Sequence, residues 1–86
     1  MSTIKEQKLP KWFRGELYGK GDTVRNRFSG EEYELNNVEL SMYDFVMGAT
    51  TMMEMGNHNT KLITELRKGL DWFRMNNAEA YMVLLD

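Results

Sequence analysis

Asn36 divides this chain into two unlike parts. It immediately precedes a stretch of helical spacing, and Glu39 sits three residues on. Asn36-Asn37-Val38-Glu39 therefore reads as a capping box, in which the asparagine side chain accepts from a first-turn N–H and the glutamate reaches back. Leu35 and Leu40 flank the cap as a hydrophobic staple. Beyond this point the apolar residues keep a helical period to the end of the chain. Before it they do not, and Pro10, Gly15, Gly19, Gly21 and Gly30 break the segment up.

The first helix carries Val38, Met42, Phe45, Val46, Ala49 and Met53 on one stripe and Leu40, Tyr43 and Met47 on a second. Gly56 is its C-terminal stop. A helix apolar around most of its circumference is either central to a core or shared between subunits. The second helix spans about Thr60 to Met75. Leu62, Leu66, Gly69, Leu70 and Phe73 face inward, with Lys61, Glu65, Lys68 and Asp71 on the other side. Asn76-Asn77-Ala78-Glu79 repeats the Asn-Asn-x-Glu start and opens a third helix, roughly Asn77 to Leu85. That helix is too short to stand without tertiary packing.

Upstream, Thr23–Phe28 and Glu31–Leu35 read as a β-hairpin across Ser29-Gly30. A two-residue loop places Arg27 opposite Glu32, Arg25 opposite Glu34, Val24 opposite Leu35 and Asn26 opposite Tyr33. Phe28 is the misfit, an aromatic facing Glu31 beside the turn. A lone hairpin is marginal in water, so this one must pack on the helices. The fold class is α+β: an extended basic and aromatic arm over residues 1–16, a hairpin over 23–35 and a helical part over 37–85. At 86 residues this is a single small domain.

Charge is unevenly spread. Residues 1–30 hold seven basic and three acidic side chains, net +4, and residues 31–86 hold four basic and ten acidic, net −6. Either the basic segment is an interaction arm or it neutralises the acidic remainder internally. The absence of cysteine removes disulfides, thiolate metal sites and cysteine nucleophiles. The only histidine, His58, lies in a turn without a second ligand or nucleophile beside it. Met42, Met47, Met52, Met53 and Met55 do not converge as a soft-metal site and read as adaptable packing. Gly19-Lys20-Gly21 lacks the rest of any phosphate-loop fingerprint. Ser2, Ser29 and Ser41 have no base. No reaction class assembles, so no enzyme, cofactor, metal or small-molecule substrate is expected.

Two stretches carry a resemblance. They are Gly21-Asp22-Thr23-Val24-Arg25-Asn26-Arg27-Phe28-Ser29-Gly30-Glu31, leading into Tyr43-Asp44-Phe45-Val46-Met47-Gly48, and Trp72-Phe73-Arg74-Met75-Asn76-Asn77, continuing to Tyr81-Met82-Val83-Leu84-Leu85-Asp86. Counting what lies between, about two thirds of the chain resembles small uncharacterised proteins of marine bacteriophages, particularly phages of cyanobacteria. The resemblance brings no catalytic or binding motif. It implies expression in an infected cell and a role in the virion or in host takeover.

The expected function is therefore that of a small non-enzymatic interaction or structural protein, docking to itself or to a protein partner. Candidate partner-binding residues are Lys8, Lys11, Trp12, Phe13, Arg14, Tyr18 and Lys20. The candidate oligomer surface is Leu40, Tyr43, Met47, Tyr81, Leu84 and Leu85. The alternative is a nucleic-acid accessory role, in which the same arm stacks bases and holds phosphates. A pI of 5.4 weighs against it. Trp12 and Phe13 have a third option, which is to cover the hairpin. With no apolar signal core and no membrane-spanning run, the expected location is the cytoplasm of the host cell, or the virion.

Overall fold

The computed structural model describes residues 7–13 and 15–85. The order of elements is β1 (Asp22–Arg25), β2 (Glu32–Leu35), α1 (Asn37–Glu54), α2 (Thr60–Asn76) and α3 (Ala78–Ala80), which runs on into a π turn over Tyr81–Leu85. The strands form one antiparallel hairpin, so the architecture is α+β. Among the described residues no helix is long and apolar enough to cross a membrane.

The capping box forms as the sequence predicts. Asn36 Oδ1 accepts from Glu39 N at 2.8 Å, and Glu39 Oε1 accepts from Asn36 N at 3.0 Å. The second oxygen of Glu39 does more. It accepts from Gln7 Nε2 at 2.8 Å and from Asn77 Nδ2 at 2.9 Å. One carboxylate thus joins the start of α1, the N-terminal arm and the cap of α3. Glu39 is only 5% exposed, and these three donors are what its burial requires.

The core is Leu35, Met42, Val46, Trp72, Phe73, Ala80 and Leu84. Helices α1 and α2 cross at Gly69, where an added Cβ would come within 2.8 Å of Val46 Cγ2. Glu65, placed by sequence on the polar side of α2, is instead 6% exposed. Glu65, Gly69 and Trp72 lie on one stripe at i, i+4 and i+7, and the arm lies along Trp72. The buried face of α2 is therefore wider than the apolar residues alone mark out.

The hairpin register differs from the expected one by two residues. The pairs are Asp22–Leu35, Thr23–Glu34, Val24–Tyr33 and Arg25–Glu32. The expected Arg27–Glu32, Arg25–Glu34, Val24–Leu35 and Asn26–Tyr33 pairs do not form. The cause is Asn26. Its Oδ1 accepts from Phe28 N at 2.7 Å and from Ser29 N at 3.2 Å, and its carbonyl accepts from Gly30 N at 2.9 Å. This local bonding builds a four-residue loop over Arg27–Gly30, closed by Gly30 at φ 80°. Asn26 Nδ2 also donates to Val83 O at 2.8 Å, which fixes the hairpin to the C-terminal turn.

The third helix differs too. Asn77, not Asn76, is its cap, accepting from Ala80 N at 3.1 Å, because Asn76 completes α2. Glu79 therefore stands one place short of a capping-box position, and it accepts from Tyr33 OH at 3.1 Å instead. After Ala80 the chain widens into the π turn, which seats Leu84 in the core.

Candidate protein-interaction surface

The arm is bound to its own domain. Pro10 O accepts from Phe13 N at 3.0 Å, making a turn that sets Trp12 and Phe13 side by side. Both rings meet Phe45 on α1, at centroid distances of 5.7 and 5.6 Å. They cover α1 rather than the hairpin. Trp72 Nε1 donates to Lys8 O at 3.0 Å. Farther along, Tyr18 N donates to Ser41 Oγ at 2.9 Å, Tyr18 OH donates to Asp44 Oδ2 at 2.9 Å, and Tyr18 O accepts from Asn37 Nδ2 at 3.2 Å. Buried Ser41 is the anchor here, and its hydroxyl in turn donates to Asn37 O at 2.7 Å.

Of the arm candidates, Trp12, Phe13 and Tyr18 are half-buried against α1, while Lys8, Lys11 and Lys20 are exposed. Arg14 lies outside the described residues, as does the arm's beginning at residues 1–6. A hydrogen bond to Asp44 holds the Tyr18 phenol above its ordinary value of 10.0. Burial raises Tyr33 and Tyr43 in the same direction, and the Arg27 guanidinium draws Tyr43 the other way. An open cleft of about 560 Å³ lies between the Tyr18–Asp22 segment and α1, with Tyr18 and Leu40 in its wall and Lys20 and Asp22 exposed at its edge.

The oligomer candidates separate. Met47, Leu84 and Leu85 come together in a groove of about 230 Å³ between the hairpin tip, α1 and the C-terminal turn, with Val46 and Leu70 beside them. Leu84 is 7% exposed and belongs to the core, contrary to its expected place on the surface. The π turn rotates it inward and leaves Leu85 half-buried. Tyr43 stands close to Arg27, near the hairpin tip. Tyr81 lies elsewhere, under the Arg74 guanidinium at 5.2 Å. Leu40 faces the Tyr18–Asp22 segment.

Sequence reasoning missed the residue that stands out most. Phe28, at the tip of the hairpin and on the rim of this groove, is 93% exposed. Its signal was its failure to fit the strand alternation. Met55 just past α1, Met75 on α2 and Met82 in the π turn are also exposed. His58 is exposed in the loop between α1 and α2. Among the described residues no cluster of three or more His, Cys, Asp or Glu side chains is placed to hold a metal ion. Comparison with protein-family models, curated proteins and solved structures finds no match to this chain.

Proposed function

We propose that this chain is a small docking protein whose contact surface is the hairpin tip with the groove beside it. The observation that carries this reading is Phe28. A phenyl ring almost wholly in water, on a loop fixed by Asn26, stands over a groove walled by Met47, Leu70 and Leu85. An exposed aromatic ring set beside an open apolar groove marks an interface. The arm aromatics favour this surface over the arm itself, because Trp12 and Phe13 spend their contacts on Phe45. The same engagement leaves them poorly placed to stack on nucleic-acid bases.

The test is recovery of a tagged copy from its native cell, in parallel with a Phe28→Ser copy. Stoichiometric co-recovery of a polypeptide, a second copy of this chain included, that is lost with Phe28→Ser supports the reading. Recovery of no polypeptide in a Phe28-dependent way overturns it. Recovery of nucleic acid that is released by modest salt would transfer the role to the exposed lysines of the arm.

A further inference from the structure

The hairpin tip sets a knob beside a hole. Phe28 N is held by Asn26 Oδ1 at 2.7 Å, Asn26 is tied to Val83 O at 2.8 Å, and Gly30 closes the loop. The ring therefore projects from fixed backbone, and little order is lost when it is captured. The groove next to it is apolar on Met47, Leu70 and Leu85, and it carries two opposite charges, Arg27 and Glu54. Neither charge has an ion-pair partner among the described residues, where the pairs are Arg25–Glu32 and Asp71–Arg74.

Resting on the docking reading above, we infer that the groove is occupied by the Phe28 ring of a second copy of this chain. Two copies exchange Phe28 about a two-fold axis, and Arg27 of each faces Glu54 of the other. A knob and a hole on the same face satisfy each other twice in an isologous pair, and such a pair closes without further growth. Charge selects the same arrangement. A patch holding one cation and one anion is complementary to itself when rotated by two-fold symmetry. A strongly acidic or strongly basic partner would meet one of the two charges in repulsion. A buried aromatic at the centre with charges at the rim is also the usual anatomy of a specific interface.

Sedimentation of the full chain across a concentration series tests this. The wild-type mass should rise from 10.1 kDa towards twice that value. Phe28→Ala should weaken the dimer about 30-fold or more. Its melting temperature under dilute conditions should not move, because the exposed ring supports nothing within its own chain. Arg27→Glu and Glu54→Arg should each weaken the dimer about 2–5-fold, and the double reversal should recover most of that loss. A wild-type chain that stays monomeric at high micromolar concentration overturns the dimer, as does a dimer indifferent to Phe28→Ala. If the monomer still retains a Phe28-dependent protein partner from the cell, the docking reading stands and only the two-fold exchange fails.

Discussion

Trp72 and Lys8 are joined across 64 residues by one hydrogen bond, from the indole Nε1 to the backbone carbonyl at 3.0 Å. Trp72 is a core residue of α2 and Lys8 belongs to the arm. The bond satisfies the one polar atom of a buried indole. It also makes the arm part of the fold. Trp72→Phe keeps an aromatic ring but strands the Lys8 carbonyl and leaves a small void. It should cost about 1–3 kcal/mol. Thermal unfolding measures the loss, and limited trypsinolysis should show faster cleavage after Lys8 and Lys11. Unchanged stability and unchanged cleavage would mean that the arm is not held there.

Two neighbouring glycines give a sharp contrast. A Cβ at Gly21 would overlap the Leu35 carbonyl oxygen and crowd Asn36 Cα, both backbone and unable to yield. At Gly19 nothing stands within 4 Å. Gly21→Ala should therefore destabilise by about 3 kcal/mol or more, through displacement of the chain entering β1 from the β2–α1 junction. Gly19→Ala should be close to neutral. Denaturant midpoints of the two variants measured together test this.

The hairpin register makes a pairwise prediction. Arg25 Nη2 lies 3.5 Å from Glu32 Oε2, with both side chains largely in water. A double-mutant cycle on Arg25 and Glu32 should yield a coupling of about 0.2–1 kcal/mol. The same cycle on Arg27 and Glu32 should yield none. The reverse result would restore the two-residue loop.

Tyr18, Tyr33 and Tyr43 all hold their protons above the ordinary value of 10.0. The favoured form is the neutral phenol. Its contribution is present below the unfolded value and is lost as pH rises through the folded values. Melting temperature should thus be steady near about pH 9 and fall by about pH 11, as the unfolded chain gives up these protons more readily. Tyr18→Phe should reduce the slope by removing the phenol that donates to Asp44. A stability curve that is flat or rising through this range would contradict the assignment.

What was legible in the sequence was local. The capping box at Asn36 needs only four residues in order, and it forms as read. The end of α1 near Gly56 follows from a left-handed glycine, with φ 99°, and α2 starts at Thr60 as read, where Asn59 Oδ1 accepts from Lys61 N at 2.8 Å. The register was not legible, because it turns on Asn26 bonding its own loop rather than on the charge pattern of the strands. The burial of Glu39 and Glu65 was not legible either. A carboxylate enters a core only when distant groups meet it, and Gln7 and Asn77 reach Glu39 from the two ends of the chain. The arm's docking rests partly on the Lys8 carbonyl, a group every residue possesses. Phe28 was visible as a break in alternation, but only its exposure gives that break a meaning.

The most direct measurement places a photo-reactive benzophenone side chain at position 28 of the full chain and illuminates it in solution. The account predicts a covalent adduct of twice 10.1 kDa, with the cross-link mapped to Met47 or to the Tyr81–Leu85 turn of the second copy. A chain that remains at 10.1 kDa after illumination, with no polypeptide attached at that position, would contradict it.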